Sequence, residues 1–448
     1  MSELKSTIKH LLPKSALQPV VNGYHLLQAI TYSTRFGFPA RKLRVVMITG
    51  TNGKTTTAAY VAKILEAAGH RVGVISTAFY QFGDKVVPNE DNMTVIPHER
   101  MQRMLRQVKK AKCDFLVMEA TSHALVQHRL WGIPCEVAIM TNLTQDHLDY
   151  HGTMENYAAA KAKLFAREPR FIVLNRDDQW FSYFNEYHAK EAKMDYGTDA
   201  EAECRIEHAA LHRTGSDVRI RIDHTIKFSF HNRLAGKFNV YNATAAVAAT
   251  YLLQVDLAKI KEGVEALESV AGRLEHVDEG QLFDVIVDYA HTPDALDNVM
   301  GTVKALTDNR LILVFGATGD RDRAKRPIMG EVAVKYADRI ILTDEESYSE
   351  NPDVIRDDVR RGIERVGGAG KTDEVADRKE AIKKAMMIAR RGDAILITGM
   401  GHERFRIVGN ERIPWNDADV SRELLHELKK SGAPKKAGKA EQKADRKK

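Results

Sequence analysis

The chain has 448 residues, of which 44% are hydrophobic and 29% charged, a composition typical of a globular protein with two or three domains. It contains no long apolar run and no signal-peptide pattern at its N-terminus, which excludes a transmembrane helix and favours the cytoplasm. The net charge of +6 arises from residues 429–448, which contribute +7, so the rest of the chain carries −1 and no nucleic-acid-binding surface is expected on the fold.

Residues 1–40 are the first predicted unit, a short N-terminal helical segment. Residues 20–38 are moderately apolar, with Leu27 and Ile30 among the larger side chains, and predict one helix. This helix either packs on the core or lies on a membrane surface. Its scarcity of Lys and Arg favours packing, with a weak membrane-surface contact as the alternative.

A strand, a glycine turn and a helix come next, and the rest of the chain is organised around them. The apolar run VVMI predicts a strand that is buried on both faces. Gly50 and Gly53 allow backbone conformations in which several N–H groups point at one anion, at the N-terminus of the next helix. Lys54 supplies a cation for phosphates and Thr55 a hydroxyl for Mg²⁺. The segment therefore predicts a phosphate-binding loop, in a form shorter than the Walker A pattern because Ile48 stands where that pattern has glycine.

Residues 41–272 alternate strands and helices and are predicted to be a central ATP-binding domain with a mostly parallel sheet. Strands are predicted at 45–48, 71–76, 115–119, 136–140 and 171–174, and helices at 54–68, 97–110, 153–165 and 239–253. Residues 218–222 and 226–230 alternate apolar and polar side chains, which predicts a hairpin.

Residues 273–430 are predicted to be a C-terminal Rossmann-like α/β domain, followed by a basic, disordered tail at 431–448. Its predicted strands are 284–288, 311–315, 339–342 and 394–397, and its helices lie near 293–305, 326–336, 352–365 and 378–390. Three strands end in polar or glycine-rich segments, at 287–293, 316–322 and 399–403. Such ends on one edge of a sheet predict the second wall of a site between two domains.

Several polar groups near strand ends are candidates for chemistry. Glu119 ends a buried strand, where a second magnesium ligand belongs, and a metal or a hydrogen-bond network must satisfy it. His147, in the segment NLTQDHLD, either binds a metal or is held by the aspartates around it. Gln127 and Arg129 suit carboxylate or phosphate recognition. Lys161 lies among alanines and, taken alone, is interpreted as an ordinary solvated helix lysine.

Longer motifs carry a resemblance to a known family. They are GTNGKTTT, MEATSHALVQHRL, TNLTQDHLDYHGTMENYAAAKAKLF, LAGKFNVYNA, GRLEHV, VDYAHTPDAL, GATGDRDRAKRPIMGEVA and GMGHE. Over residues 41–425 they resemble the Mur ligases, most of all the UDP-N-acetylmuramoyl-tripeptide synthetase (MurE) type. The resemblance implies an ATP-dependent ligase that adds an amino acid to a UDP-N-acetylmuramoyl-dipeptide through an acyl phosphate, in peptidoglycan precursor synthesis.

The resemblance also implies roles for individual residues, with ATP and two Mg²⁺ ions as cofactors. Lys54, His147 and Lys161 would be catalytic. The nucleotide would be held by Gly50, Thr51, Asn52, Gly53, Lys54, Thr55, Thr56, Asn239, Arg273, Asp288 and His291. The metal ligands would be Thr55, Glu119, His147 and a carbamylated Lys161, which reverses the interpretation of Lys161 as solvated. The muramoyl-dipeptide and the incoming amino acid would be contacted by Asn92, Thr94, Thr121, Gln127, Arg129, Tyr348, Gly399 and Glu403.

Three departures from the family pattern affect the expected substrates. The family carries an N-terminal domain that holds the uridine nucleotide, and the 40 residues before the first strand are too few for one. The family's diaminopimelate-selecting stretch, Asp-Asn-Pro-Arg, falls at Glu345-Glu346-Ser347-Tyr348, so tyrosine replaces the arginine. The motif GKGHE has become GMGHE, with Met400 in place of lysine.

Two other functions therefore stay open. One is a Mur-family ligase for a different carboxylate, such as a glutamyl chain or a lipid-linked precursor. The other is a catalytically dead nucleotide-binding subunit, against which the intact set Lys54, Thr55, Glu119, His147 and Lys161 argues. The expected partners are small-molecule substrates, and the expected state is a monomer.

Overall fold

The computed structural model describes residues 14–89, 96–409 and 411–430, with side chains from residue 21 onward. These residues form two α/β units, one around an eleven-stranded sheet and one around a six-stranded sheet, together with a separate two-stranded sheet. The predicted fold class is confirmed. The predicted basic tail lies outside the described residues, as do the predicted substrate residues Asn92 and Thr94.

The large sheet is parallel in its middle and antiparallel at both ends. Its strands are β1 (Arg44–Thr49), β2 (Val72–Ile75), β3 (Phe79–Phe82), β4 (Lys85–Pro88), β5 (Phe115–Glu119), β6 (Val137–Met140), β7 (Phe171–Asn175), β8 (Ala192–Gly197), β9 (Cys204–His212), β10 (Gly215–Ile222) and β11 (Ile226–Asn232). Their order is β11-β10-β9-β8-β7-β6-β1-β5-β2-β3-β4, and all pairs from β9 to β2 are parallel. The predicted hairpin is confirmed as β10 and β11.

Helices cover both faces of this sheet. They are α1 (Lys14–Arg35), α2 (Lys54–Ala67), α3 (His98–Lys110), α4 (Ser122–Val126), α5 (Leu148–His151), α6 (Met154–Ala162), α7 (Phe181–Asn185), α8 (Lys237–Leu252) and α9 (Leu257–Ala266). One core lies between the sheet and α2, α8 and α9, and a second lies on the α3 side. Close packing of α9 on α2 requires Gly263, because a side chain there would collide with the backbone of Ile64.

The N-terminal helix α1 docks by one face only. Ala29 and Ser33 are buried, and Ser33 Oγ accepts a hydrogen bond of 3.1 Å from Gln102 Nε2 in α3. The opposite face leaves several apolar side chains exposed, namely Val21, Tyr24, Leu27 and Ile30. The predicted helix is confirmed, but it ends at Arg35 because Gly37 and Phe38 take up left-handed backbone conformations. No helix in the described ranges is long and apolar enough to cross a membrane.

The second unit is built on a mostly parallel sheet. Its strands are β12 (Glu275–His276), β13 (Asp284–Asp288), β14 (Leu311–Phe315), β15 (Arg339–Leu342), β16 (Thr372–Glu374) and β17 (Ala394–Thr398), in the order β12-β13-β17-β14-β15-β16. The helices are α10 (Pro293–Leu306), α11 (Lys325–Tyr336), α12 (Pro352–Arg365), α13 (Arg378–Ile388) and α14 (Asp417–Lys430). Strands β18 (Phe405–Val408) and β19 (Glu411–Pro414) form the separate hairpin. The four strands and four helices predicted here are confirmed.

The two units meet along the C-terminal ends of their strands. Asn52 Nδ2 donates to Asp294 Oδ2 at 2.7 Å, and Gln145 Nε2 donates to Asp322 Oδ2 at 3.2 Å, so each contact joins a segment that follows a strand of the large sheet to one that follows a strand of the small sheet. In the small sheet, β17 lies between β13 and β14, which brings the three polar strand ends side by side. The three segments predicted as the second wall of a site therefore lie together at one edge of the small sheet.

Candidate active site

The turn between β1 and α2 has the backbone that anion binding requires. Gly50 and Gly53 have φ values of +144° and +86°, in the region that favours glycine. A side chain at Gly50 would collide with Thr141, and one at Gly53 would collide with Asn242. Helix α2 begins at Lys54, directly after the turn, so its N-terminal amides face the same space.

Lys54 is folded back onto its own loop. Its Nζ donates to the carbonyl oxygens of Gly50 at 3.1 Å and of Thr51 at 2.7 Å, and the side chain is half-buried. Burial lowers the pKa of Lys54, and the neighbouring Arg273 lowers it further, while Glu119 acts in the opposite direction. The loop carbonyls and neighbouring charges therefore enclose the ammonium group.

Glu119 is buried at the end of β5 and is fully engaged by hydroxyl and amide donors. Its Oε1 accepts from Thr55 Oγ1 and from the backbone N–H of Thr77, both at 2.7 Å, and its Oε2 accepts from Thr77 Oγ1 at 2.8 Å. The predicted hydrogen-bond network is therefore present. Register explains the meeting of Thr55 and Glu119, because Glu119 pairs with Ile48, two residues before the glycine turn.

His147 stands at the end of a short loop after β6, with a left-handed backbone conformation at φ +55°. Its Nε2 lies 3.3 Å from Asp146 Oδ2, and its ring packs edge-on against His123 at 4.8 Å between centroids. Burial lowers the pKa of His147 to about 3, although Asp146 acts to raise it. Of the aspartates around His147, Asp146 holds the ring, and Lys325 from the second unit also approaches Asp146 at 3.7 Å.

Lys161 is almost completely buried in α6, with 1% of its surface exposed. Its Nζ donates to the carbonyl oxygen of Gly50 at 2.7 Å and lies 4.5 Å from the ring centroid of Tyr157. Burial places its pKa well below the ordinary value for lysine, and Lys54 lowers it further. The interpretation of Lys161 as a solvated helix lysine is wrong, because its ammonium group is buried against the carbonyl oxygen of Gly50.

A cavity of about 350 Å³ lies between the two units next to the glycine turn. Its lining includes several residues predicted to hold a nucleotide, namely Asn52, Gly53, Thr55, Thr56, Arg273, Asp288 and His291. Asn239 is buried behind this wall, where its Oδ1 accepts from Asn242 Nδ2 at 3.1 Å. Asp288 is held at the base by the backbone amides of Leu274 and Ala290, each at 2.8 Å.

Sequence reasoning missed other residues of the same cavity. They are Thr141, Asn142, Thr144, Asn175, Asp177, Asp178, Tyr196, Lys237, Phe238, Tyr241, Asn242, Tyr289, Ala290, Asp294, Ala295, Asn298 and Val299. A signal existed for Asn175, which ends β7, and for Asp294, which lies in the first turn of α10. Asp294 could have been found by asking which polar groups follow each strand of the second unit.

The predicted contacts for the muramoyl-dipeptide lie around α4. Thr121 caps this helix by accepting from the backbone N–H of Ala124 at 3.2 Å. Gln127 Oε1 accepts from Arg129 Nη2 at 3.3 Å, so these two side chains form one polar pair just after the helix. The structure therefore brings together three of the five predicted acceptor residues, and the other two lie outside the described ranges.

The predicted amino-acid residues lie at a cluster of three buried carboxyl groups, Glu345, Glu346 and Glu403, called the acidic pocket below. Tyr348 Oη donates to Glu346 Oε2 at 3.0 Å, and Gly399 leaves room for Glu345, with which any side chain there would collide. Burial raises the pKa of Glu345 to about 7, even though Arg378 lowers it. Burial also raises the pKa of Glu346 and of Glu403, and in Glu403 the two neighbouring carboxylates add to the effect.

Two family models match the chain, the Mur ligase middle domain over residues 48–250 and the Mur ligase glutamate ligase domain over residues 272–401. A curated relative from Geobacillus kaustophilus (strain HTA426), a UDP-N-acetylmuramoyl-L-alanyl-D-glutamate–2,6-diaminopimelate ligase, is 40% identical over 93% of this chain and 86% of its own length. The chain belongs to the Mur ligase family.

Solved structures agree with this assignment. A UDP-N-acetylmuramoyl-L-alanyl-D-glutamate–2,6-diaminopimelate ligase is 33% identical to this Mur ligase, with a TM-score of 0.60 over 87% of this chain and 80% of the other. A folylpolyglutamate synthase from Mycobacterium tuberculosis, complexed with ADP and AMPPCP, is 18% identical, with a TM-score of 0.69 over 92% of this chain and 96% of the other. The second likeness concerns the fold alone.

Proposed function

We propose that this Mur ligase uses ATP to join an amino acid to the carboxylate of a UDP-N-acetylmuramoyl-dipeptide, a step of peptidoglycan precursor synthesis. The observation that carries the proposal is the cleft between the two sheets. One wall holds the phosphate-binding loop. On the other wall, Tyr289 lines the cavity and donates a hydrogen bond to Glu403 in the acidic pocket. Curated relatives that act on UDP-N-acetylmuramoyl-L-alanyl-D-glutamate and 2,6-diaminopimelate support this substrate class.

The proposed reaction activates a carboxylate that is otherwise a poor electrophile. A carboxylate oxygen of the acceptor attacks the γ-phosphorus of ATP, the bond from that phosphorus to the β-phosphate oxygen breaks, and an acyl phosphate and ADP result. The amino group of the second substrate then attacks the acyl carbon. The bond from that carbon to the phosphate oxygen breaks, inorganic phosphate leaves, and the nitrogen gives up a proton to water.

In this proposal the loop holds the phosphates. Lys54 exchanges the carbonyl oxygens of Gly50 and Thr51 for phosphate oxygens, which compensate its charge better than neutral carbonyls do. Arg273 lies close enough to reach the same anion, since its Nη2 is 3.4 Å from Thr55 Oγ1. The adenosine part then occupies the cavity lined by Asn242, Asp294 and their neighbours.

The residues present suit Mg²⁺. Thr55 and Glu119 offer hard oxygen donors 2.7 Å apart, and Mg²⁺ is usually bound through one or two carboxylates together with substrate phosphates. Among the described residues, no group of three or more His, Cys, Asp or Glu is placed to hold a metal ion. When bound, Mg²⁺ shields the repulsion between the acceptor carboxylate and the γ-phosphate.

We assign His147 and a carbamate on Lys161 to the second ion. The support is geometric, because Lys161 Nζ is enclosed beside the loop and His147 is partly buried beside Asp146. A carbamate would change the sign of the charge at this buried position. Thr121, Gln127 and Arg129 are assigned to the acceptor, and Tyr348, Gly399 and Glu403 to the incoming amino acid.

The test is ADP release by the whole protein. UDP-N-acetylmuramoyl-L-alanyl-D-glutamate is offered with a panel of amino acids that includes L-lysine and meso-diaminopimelate. We expect ADP release that depends on both the acceptor and one amino acid. Release only with a glutamyl chain or a lipid-linked carboxylate would instead assign a different acceptor. No release with any pair would contradict ligase activity and favour a nucleotide-binding subunit.

A further inference from the structure

Tyr289 joins the nucleotide cavity to the acidic pocket. It follows β13, and its side chain lines the cavity between the two units. Its hydroxyl donates a hydrogen bond of 3.2 Å to Glu403 Oε1, in the acidic pocket. Burial holds the pKa of Tyr289 far above its ordinary value, and Glu403 raises it further, so the hydroxyl stays a donor. One side chain therefore contacts both of the proposed substrate sites.

On the nucleotide side, the ring of Tyr289 is held by charged and aromatic neighbours. The guanidinium carbon of Arg273 lies 4.7 Å from the ring centroid, and Arg273 Nη2 lies within 3.4 Å of Thr55 Oγ1 in the loop. The rings of His291 and His402 pack against Tyr289 at 4.6 and 4.8 Å between centroids. Any anion that draws Arg273 toward the loop therefore changes the contact on one face of this ring.

On the amino-acid side, the surroundings of Glu403 disfavour its negative charge. It is buried beside Glu345 and Glu346, and like charges in a buried pocket disfavour ionisation. The Tyr289 hydroxyl is a donor to its carboxylate, and a hydrogen bond to a charged group favours the charged form. Whether Glu403 can bind an ammonium group therefore depends on where the Tyr289 hydroxyl lies.

We propose that Tyr289 is a positioning residue that couples the two sites. A nucleotide that binds against Arg273 and the tyrosine ring holds the Tyr289 hydroxyl on Glu403. This contact raises the affinity of the protein for the incoming amino acid. This inference rests on the proposed function, because it assigns Glu403 to the amino acid. Coupling between binding sites is reciprocal, so the amino acid raises the affinity for the nucleotide by the same factor.

The test measures binding in the whole protein, with AMPPCP as the nucleotide. The amino acid is L-lysine or meso-diaminopimelate, whichever sustains faster ADP release. Its dissociation constant is measured by calorimetry with and without saturating AMPPCP. We expect AMPPCP to tighten binding by about fivefold or more in the unsubstituted protein. In Tyr289→Phe, which keeps the ring, we expect the AMPPCP affinity to stay within about twofold while the tightening disappears and amino-acid affinity falls by about tenfold.

Two other tyrosines give matched controls for loss of a hydroxyl. The coupling ratio is the dissociation constant of the amino acid without AMPPCP divided by that with AMPPCP. Tyr241 lines the nucleotide cavity and donates to Asp177 at 2.5 Å. Tyr241→Phe is therefore expected to change AMPPCP affinity but keep the coupling ratio. Tyr348 donates to Glu346 in the acidic pocket, so Tyr348→Phe is expected to change amino-acid affinity but keep the ratio. Unchanged AMPPCP binding by Tyr289→Phe also shows that this variant is folded.

The outcomes separate the inference from the proposed function. A coupling ratio near one in the unsubstituted protein, or an unchanged coupling ratio in Tyr289→Phe, overturns the coupling. ADP release in the same protein would still support the proposed ligase activity. Loss of the ratio in both control variants as well would overturn a specific role for Tyr289. If the unsubstituted protein releases no ADP with any amino acid, the proposed function fails and this inference fails with it.

Discussion

Lys161 Nζ lies 2.7 Å from the carbonyl oxygen of Gly50, and Lys54 Nζ lies 3.1 Å from the same oxygen, so two lysines share one acceptor in the phosphate-binding loop. Each side chain is removed from solvent to a different degree, Lys161 almost completely and Lys54 in part. Each lysine therefore makes the charge of the other more costly, and an anion between them would relieve that cost.

Replacement of Lys161 tests the carbamate. Lys161→Ala is expected to lower turnover by about a hundredfold or more, because the carbamate that would hold the second Mg²⁺ is lost. Short carboxylic acids such as formate or acetate are expected to restore part of the ADP release by occupying the vacated space. Lys163→Ala, at an exposed position of the same segment, serves as the control. Normal turnover by Lys161→Ala would refute the assignment.

Replacement of Lys54 tests the loop. Lys54→Ala is expected to abolish ADP release and to weaken AMPPCP binding, since phosphate charge loses its main cation. Because Lys54 also donates to two loop carbonyls, the free energy of unfolding is expected to fall by about 1 kcal/mol, a loss that full solvation of this side chain would not produce. Lys63→Ala, further along α2, is the control. Near-normal activity of Lys54→Ala would rule out the phosphate-binding loop.

The N-terminal helix offers a matched pair of variants. Ala29 is buried with 2% exposure, whereas Leu27 is 65% exposed on the opposite face. Ala29→Asp is expected to lower the free energy of unfolding by about 3 kcal/mol because it buries an unpaired charge. Leu27→Asp is expected to leave stability unchanged. If the exposed face instead contacts a membrane, we expect the full-length protein to sediment with lipid vesicles and Leu27→Asp to stay in solution. If the full-length protein does not sediment with vesicles, the membrane-surface contact is ruled out.

The acidic pocket gives a pH dependence whose sign follows from Glu345. Burial raises its pKa from 4.5 to about 7, so between these values the folded protein holds a proton that the unfolded chain has lost. Stability from this group is therefore present below pH 4.5 and is lost as the pH rises through 7. Glu345→Gln is expected to match the unsubstituted protein near pH 4.5 and to exceed it above pH 7 by about 3 kcal/mol.

Urea unfolding across this pH range measures the difference. Glu427→Gln, at an exposed position of α14, is the control, which we expect to leave the slope of unfolding free energy against pH unchanged. Because burial also raises the pKa of Glu346 and Glu403, the slope is expected to diminish in Glu345→Gln and not to vanish. Equal stability of Glu345→Gln and the unsubstituted protein at both ends of the range would show that Glu345 ionises normally.

The sequence predicted best those strands that are buried on both faces. Residues 115–119, 284–288, 311–315 and 339–342 match the observed strands at both ends, because continuous apolar runs have few alternatives in an α/β fold. Edge strands were missed. Strand β4 (Lys85–Pro88) is largely exposed and β16 (Thr372–Glu374) is polar, so neither has the apolar pattern from which a strand is predicted.

Within the site, the sequence predicted contacts that depend on one sheet and missed those that depend on how the two units are oriented. The meeting of Thr55 with Glu119 follows from neighbouring strand ends. The contact of Asn52 with Asp294 joins residues on different sheets, so no local pattern reports it. The burial of Lys161 was not predicted either. Its alanine neighbours give the helix no distinct apolar face, so the sequence pattern does not show which face of the helix is buried.

The choice of amino acid depends on Tyr348. An arginine can hold a distal carboxylate through two parallel hydrogen bonds, and the resemblance places Tyr348 where the diaminopimelate-selecting stretch has arginine. Here the tyrosine hydroxyl donates to Glu346, and the pocket beside it contains three buried carboxylates. A second carboxylate on the substrate would bring negative charge beside carboxyl groups that already resist ionisation, while the ammonium group of lysine would favour their charged form.

Two nearby arginines bear on this argument. Arg321 lies over the ring of Tyr348, with its guanidinium carbon 5.2 Å from the ring centroid, so it is placed to reach a distal carboxylate. Arg323 is engaged elsewhere, with its Nη2 2.9 Å from Glu350. Arg321→Ala therefore separates the two explanations, because it removes the nearby cation and leaves the tyrosine and the carboxylates in place.

We predict that L-lysine or a similar cationic amino acid is preferred over meso-diaminopimelate, although the curated relatives at 40% identity use 2,6-diaminopimelate. The measurement is a competition between the two amino acids for the muramoyl-dipeptide, with product masses giving the ratio of kcat/KM. Tyr348→Arg is expected to shift this ratio toward diaminopimelate by about tenfold or more, since it supplies the missing bidentate donor. A clear preference of the unsubstituted protein for diaminopimelate would refute the charge argument. If Arg321→Ala then loses this preference, Arg321 has taken over the role of the missing arginine.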